Sequence, residues 1–368
     1  MKIVIFGLTV SSSWGNGHAT LWRGLSRALA DRGHKVVFFE RDVPYYASAR
    51  DLTELPGCEL IFYSEWNDAL PSALRHAESA DAAIVTSYCP DAIAASQVVL
   101  DSKAGLRVFY DLDTCVTLAR LAAGERVDYV PSNGYADFDL VLSYTGGVSL
   151  ELLRTVLLAR NVAPLYGSVD PAVHRRMPPR DCFRAALSYM GTWSADRDEA
   201  LRTRFIEPAR HLPEHRFLVG GSKYTSDFPW LPNIYFVNHV PPDLHAAFYC
   251  SSKLTLNVTR GPMAAMGYCP SGRLFEAAAC GVPILSDWWP GLDTFYLPGS
   301  EILIANSSAE AIEAIESSPS ELAHIGRAAR DRTLSCHTAA IRAAELESIF
   351  EFGVSPRTGM AEVNTCGA

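Results

Sequence analysis

Arg273 and Glu276 stand three residues apart in a stretch that carries no other charged residue between Ser271 and Ser286. That spacing puts both on one face of a helix, and a helix facing water would carry more charge. Ser271 is placed to cap the helix and Gly281 to end it. The free amides at its start, around Gly272, together with Arg273, offer an anion site suited to a pyrophosphate. A carboxylate in the company of Leu274, Phe275 and Ala277 to Ala279 needs a polar partner, and the paired hydroxyls of a ribose would supply one. The same pattern also fits an internal Arg273 to Glu276 ion pair that only orients the helix.

Gly191-Thr192 follows an expected strand and precedes a helix containing Arg197. Its backbone can approach phosphates where side chains would obstruct, or the glycine simply serves a turn. Asn257, Thr259 and Arg260 end another strand, and Arg260 offers a second positive charge to a diphosphate or is a surface arginine. Near the N-terminus, Gly15-Asn16-Gly17-His18 closes a long loop, Leu8 to Thr20, that leads into a helix. It lacks the third glycine of a dinucleotide-binding GxGxxG, although Glu40 after the second strand superficially suits a ribose-binding acid. His18 faces a sugar or acceptor, or caps its own helix. Asp111-Leu112-Asp113 matches a metal-binding DxD, a string common by chance. Trp288-Trp289 either stacks on an acceptor or wedges two elements together, and Glu40-Arg41-Asp42 reads by default as a charged turn.

Elements able to position these residues follow from the pattern of apolar runs. Short β-branched or aromatic runs alternate with helical patterns, the signature of βαβ units feeding parallel sheets. Expected strands are 2–7, 35–39, 59–63, 82–87, 107–111 and 139–143, with helices over 19–32 and 148–159. A second series has strands 186–190, 216–220, 234–237, 253–257, 282–286 and 302–304, with helices near 196–211, 271–280 and 308–333. At 368 residues, two domains are the natural expectation. The expected division is an N-terminal domain 1–168, a proline-rich connection 169–185 and a C-terminal domain 186–335. A helix over 336–352, able to cross back to the N-terminal domain, precedes a flexible tail, 353–368. Ligands in such sheets bind outside the carboxyl ends of the strands, so the chemistry is expected in a cleft between the domains.

Composition narrows the function. Hydrophobic residues at 48% and charged residues at 20% are those of a folded globular chain. A net charge of -9 argues against nonspecific nucleic-acid binding, which needs clustered Lys and Arg. The nine cysteines lack metal-ligand spacing and read as reduced core residues of a cytoplasmic protein. No signal peptide is legible at the start, and no run of about eighteen apolar residues suggests a membrane span. Asn257-Val258-Thr259 fits a glycosylation sequon but falls on an expected strand, and is set aside.

Glu276 followed by Ala-Ala-Ala-Cys-Gly-Val-Pro-Ile resembles the donor-binding signature of GT-B glycosyltransferases. The wider chain, to about residue 305, is similar to the spore-maturation or CgeB-like glycosyltransferases. The similarity lies in Trp14 to Thr20, Phe39-Glu40-Arg41-Asp42, Tyr110 to Thr114, Leu142 to Gly147 and Leu256-Asn257-Val258-Thr259-Arg260. The resemblance implies a GT-B architecture of two Rossmann-like doubly wound domains facing across a cleft. It also implies that Glu276 grips the nucleotide ribose and that backbone near His239 holds the base. Many relatives carry another acid eight residues before the ribose glutamate. Tyr268 stands there, which puts in doubt the usual contact to the donor sugar and the retaining mechanism associated with it.

The implied reaction moves a hexose-like unit from a nucleoside diphosphate sugar, UDP being the commonest, to an acceptor hydroxyl, without a metal or other cofactor. Arg273, Arg260 and helix amides suit the departing diphosphate, and Asp113, with His18 as alternate, suits the base that inversion needs. Asn16 and Gly17 would line the acceptor loop. Two other readings compete: a nucleotide-sugar epimerase on the same scaffold, and a noncatalytic spore-coat or envelope protein that keeps the fold.

Overall fold

The computed structural model describes residues 1–352, which form two compact units. Unit 1 comprises Met1–Tyr166 and the stretch from Ala339 onward, and unit 2 is Gly167–Thr338. The stretch 353–368, expected as a flexible tail, lies outside the described residues.

Unit 1 is built on seven parallel strands: β1 (Lys2–Gly7), β2 (Lys35–Arg41), β3 (Cys58–Tyr63), β4 (Ala82–Thr86), β5 (Leu106–Asp111), β6 (Leu140–Ser143) and β7 (Val162–Pro164). Their order is β3-β2-β1-β4-β5-β6-β7. β1 lies between β2 and β4, with Ile5 opposite Phe38 on one side and Ile84 on the other. Strands covered on both faces read as unbroken apolar runs, and Ile3 to Phe6 and Val36 to Phe39 are all buried. The sequence did not suggest β7, because Pro164 reads as a breaker. An edge strand tolerates proline, having a free side in its ladder.

Unit 2 has six parallel strands: β8 (Ala185–Met190), β9 (Phe217–Gly221), β10 (Ile234–Asn238), β11 (Ser252–Asn257), β12 (Ile284–Ser286) and β13 (Leu303–Ile304), in the order β10-β9-β8-β11-β12-β13. Strand order reverses between β1 and β4 in unit 1 and between β8 and β11 in unit 2. Such switch points open crevices at the carboxyl ends of the strands.

Three segments differ from expectation. The single helix expected over 308–333 is two, Ser308–Glu316 and Pro319–Cys336. Ser318 caps the second, accepting from the Glu321 amide, and Pro319 opens it. The 195–211 helix is interrupted by a π-helical turn, Arg202–Ile206. Residues 169–185, expected as a connection, pack into unit 2. The Val169 amide donates to the His337 carbonyl at 3.0 Å, the Arg180 amide to the Ser251 hydroxyl at 2.8 Å, and His174 is buried. Apart from a 3-10 turn at Asp181–Phe183, the prolines keep that segment irregular without barring it from packing.

The last helix, Ala339–Phe352, joins the core of unit 1. Ala343, Leu346 and Phe350 pack with Trp22, Leu25 and Leu29 of the Gly17–Asp31 helix, and Glu347 pairs with Arg32 and His34. No helix among the described residues is long and apolar enough to cross a membrane.

Candidate functional site

The unit 2 residues expected from the sequence to meet an anion gather at the ends of β8 and β11, on either side of its switch point. The Gly272–Ala279 helix presents Arg273 in its first turn, and Gly281, at φ +73°, stops it. Arg273 and Glu276 do not form the internal ion pair that their spacing allows. The Arg273 guanidinium donates through Nε to the Met190 carbonyl and through Nη1 to Asn257 Oδ1 at 2.9 Å, and it lies over the Tyr189 ring at 5.1 Å. Nη2 makes no hydrogen bond among the described residues, which leaves it for an oxyanion.

Asn257 is fully buried and fully committed. Its Oδ1 accepts from the Ser271 hydroxyl at 2.7 Å and from Arg273, while Nδ2 donates to the Ser286 hydroxyl at 2.9 Å. Expected to meet a ligand, it instead holds Arg273 in place. Ser271 occupies the N-cap position, but its hydroxyl turns to Asn257 and caps nothing, contrary to expectation. The Leu274 amide donates to the Ser271 carbonyl at 3.1 Å, and the Gly272 and Arg273 amides at the helix start make no hydrogen bond among the described residues.

Gly191 is placed by its lack of a side chain. A Cβ there would stand 2.7 Å from the Tyr189 hydroxyl and 2.9 Å from Arg273 Nη2. Its amide bonds to the Gly220 carbonyl at 2.8 Å, so it is not the phosphate donor that the turn suggested. The Thr192 carbonyl accepts from Arg197, whose hydroxyl neighbour Thr192 Oγ1 meets Ser222 Oγ at 3.2 Å. Arg260 pairs with Asp196 at 2.7 Å and is partly exposed. Burial, with Arg273 and Arg260 nearby, pulls Arg197 below its ordinary pKa despite Tyr189 and Asp196. Arg273 and Arg197 thus place positive charge beside Gly191-Thr192, while the charge of Arg260 is offset by Asp196. The sequence named Arg197 only as part of the helix after Gly191-Thr192, because nothing in that helix marks it as inward-facing. His239 follows β10 with φ +52°, its amide donating to the Gly221 carbonyl at 2.8 Å.

Glu276 is partly buried, and its Oε2 accepts from the Tyr249 hydroxyl at 3.1 Å. Oε1 lies 3.6 Å from where a Cβ on Gly272 would stand, near the start of the helix. Burial alone would raise its pKa, but His174, His245, the Tyr249 hydrogen bond and Arg273 together hold it below the usual carboxylate value. His174, His245 and Tyr249 were not singled out in the sequence. His245 and Tyr249 are four apart on the Pro242–Cys250 helix, a spacing that shares a face.

In unit 1, the loop after β1 is braced from beneath by Glu40. This buried carboxylate accepts from the Thr9 hydroxyl at 2.8 Å, the Val10 and Ser11 amides at 2.7 and 3.0 Å, and the Ser11 hydroxyl. Glu40 is therefore neither a cofactor acid nor a solvated turn. Asn16 caps the Gly17–Asp31 helix by accepting from the His18 amide at 2.9 Å, which frees the His18 side chain from that task. His18 Nε2 meets Asp113 Oδ2 at 3.0 Å, and the same carboxylate oxygen accepts from the Ser87 hydroxyl at 2.8 Å. The two residues named from sequence as candidate bases are partners.

Asp111 is buried and serves the scaffold rather than a DxD. Its carboxylate accepts from the Asp113 amide at 3.0 Å, Thr117 at 3.1 Å and Tyr135 at 3.2 Å. Burial and the neighbouring Asp113 push its pKa up to about 7. The tryptophan pair divides its roles: Trp289 is buried, and Trp288 is 45% exposed. The eight cysteines among the described residues are free thiols.

Comparison with solved structures identifies the architecture. Sucrose-phosphate synthase from Thermosynechococcus elongatus superposes with a TM-score of 0.67 at 15% identity, covering 95% of this chain and 98% of that one. HepE from Anabaena, solved with UDP-glucose, gives 0.67 at 13% identity over 95% and 99%. An alpha-glucosyltransferase solved with UDP-glucose and DNA containing an abasic site gives 0.70 at 12% identity, again over 95% and 99%. The fold is GT-B. Within the GT-B chain, residues 199–348 match a family model described as glycosyl transferase-like. That match spans the Arg273–Glu276 helix and the Asn257 hub. No curated protein matches the sequence.

Proposed function

We propose that the protein is a glycosyltransferase that moves a sugar from a nucleoside diphosphate sugar, UDP being the first candidate, to an acceptor hydroxyl. The observation that carries this reading is the arrangement of Arg273 and Glu276. They lie in one helical turn at the unit 2 switch point, with Arg273 Nη2 available to an oxyanion and Glu276 favoured as the carboxylate. A diphosphate on Arg273 and the helix amides sets its ribose hydroxyls toward Glu276. The glycosyl transferase-like match over 199–348 and the UDP-glucose held by two structural neighbours support the same choice. The resemblance of the sequence motifs to the CgeB-like members supports that branch of the class, and the free thiols are in keeping with a cytoplasmic protein.

In the reaction, the bond from the anomeric carbon to the diphosphate oxygen breaks, and a bond to the acceptor oxygen forms. Arg273, Arg197 and Arg260 offset the charge that develops on the diphosphate. The acceptor proton passes to the Asp113–His18 pair, in a scheme that needs no metal at the phosphates.

Calorimetric titration in chelator with UDP, GDP, ADP, CMP and dTDP, for the wild type and Glu276→Ala, tests the proposal. Selective binding by the wild type, weakened at least tenfold in the variant, is the expected result. Equal affinity in the two proteins removes the ribose role, and no binding of any nucleotide to the wild type overturns the function.

A further inference from the structure

Two histidines from separate segments converge on the Glu276 carboxylate. His174 comes from the proline-rich segment after Gly167, His245 from the Pro242–Cys250 helix and Glu276 from the Gly272–Ala279 helix. One ligand atom from each lies within 4.8 Å of the others. His174 is 2% exposed, and neither ring nitrogen has a hydrogen-bond partner among the described residues. A buried imidazole with two unmatched nitrogens is a costly arrangement in a packed domain unless something binds it.

His245 shows which atom it offers. Its Nε2 lies 2.9 Å from the Val240 carbonyl, so that nitrogen carries the proton, and the buried Nδ1 keeps its lone pair without a partner. A far N–H fixed on a backbone carbonyl is the arrangement that orients metal-binding histidines. One turn along the same helix, Tyr249 holds Glu276 Oε2, which fixes the carboxylate and leaves Oε1 to act as a ligand.

We propose that His174, His245 and Glu276 bind a divalent transition metal of the zinc class, with a fourth position open to water. Two imidazoles and one carboxylate suit zinc, whereas magnesium and calcium take oxygen shells. The ligand set stands independently of the enzyme assignment. One consequence rests on the proposed function: if Glu276 holds the ribose, metal and nucleotide compete for it, and zinc inhibits the protein rather than activating it.

The test titrates the chelator-treated full-length chain with zinc, and with cobalt(II) as the visible-absorption probe. The expected result is one zinc per chain and a four-coordinate cobalt spectrum, with magnesium giving no heat. His174→Phe, which keeps the ring volume and removes both nitrogens, and His245→Ala each weaken zinc at least tenfold. Their thermal unfolding in chelator shows that they remain folded. No one-to-one zinc binding by the wild type, or equal binding by a folded His174→Phe, overturns the site.

A UDP titration at buffered free zinc then separates the two ideas. Competition predicts UDP affinity at least tenfold weaker with zinc bound than in chelator. UDP affinity that ignores bound zinc overturns the competition. Zinc binding with no nucleotide binding in either state upholds the metal site and removes the ribose role.

Discussion

His18 Nε2 and Asp113 Oδ2 lie 3.0 Å apart, one in the first turn of the helix after β1 and the other at the N-cap of the helix after β5. Asp113 does not cap its own helix. Its Oδ2 goes to the imidazole and to the Ser87 hydroxyl beyond β4, so three loops at the carboxyl ends of β1, β4 and β5 meet on one acid. A carboxylate bonded to one imidazole nitrogen fixes the orientation of the ring.

Asp113→Asn keeps the shape of this contact and removes its charge. Transfer should fall by about 100-fold or more, the usual scale for losing general base assistance, while UDP affinity stays within twofold of wild type. Steady-state rates beside calorimetric affinities read the two effects separately. Unchanged rates would show that the pair only ties the loops together.

Asp111 gives stability a pH dependence of opposite sign to that of a salt-bridged acid. Its pKa rises from 3.8 in the unfolded chain to about 7 when folded, chiefly through burial and then through Asp113. Between those values the folded state holds a proton that the unfolded state releases, so stability falls as pH rises. The slope is roughly 1.4 kcal/mol per pH unit at most. Asp111→Asn removes that slope while its amide can still serve Thr117 and Tyr135. Urea unfolding at pH 5 and pH 8 should show wild type losing stability, relative to the variant, at the higher pH. Parallel behaviour of the two proteins would mean that Asp111 is ionised throughout.

The alternation of apolar runs with helical patterns made both sheets legible, because strands covered on two faces must be apolar along their length, as Val36 to Phe39 are. The Arg273 helix was legible too, since charge is scarce there and Gly281 marks its end. Local pattern could not show what lies across the fold from each residue. His174 sits among prolines that suggest a surface connection, yet it is buried beside a carboxylate from a helix a hundred residues later. The capping of Pro319–Cys336 by Ser318 was a readable signal, Ser-Pro-Ser-Glu, overridden by the apolar periodicity on either side. Ser271 shows the converse: the residue type and position of a cap were right, and the Asn257 oxygen took its hydroxyl instead.

Asn257 should matter to both stability and binding. Asn257→Ala strands the Ser286 and Ser271 hydroxyls and releases Nη1 of Arg273 from its acceptor. The expected cost is roughly 1–3 kcal/mol for a buried polar network left incomplete, together with about tenfold weaker UDP binding. Chemical denaturation and calorimetry measure the two losses. A destabilised variant with wild-type UDP affinity would show that Arg273 holds its place through Met190 alone.

Gly191 and Gly221 are in contact, and substituting each should have a different effect. A Cβ on Gly191 meets two side-chain ends, the Tyr189 hydroxyl and Arg273 Nη2, both of which can shift. Gly191→Ala should therefore fold, at a cost of roughly 1–3 kcal/mol, with UDP binding weakened because the arginine is displaced. Gly221 sits at φ +148°, and its Cβ would fall 2.1 Å from the Gly191 carbonyl oxygen, a backbone atom just past the central strand β8 that also accepts from the Tyr224 hydroxyl at 3.0 Å. Gly221→Ala must move main chain and should lose more stability than Gly191→Ala by at least about 1 kcal/mol. Thermal unfolding ranks the two, and calorimetry on the folded Gly191→Ala protein tests the arginine. If that variant binds UDP like wild type, the anion is held by the helix amides and the other arginines rather than by Arg273.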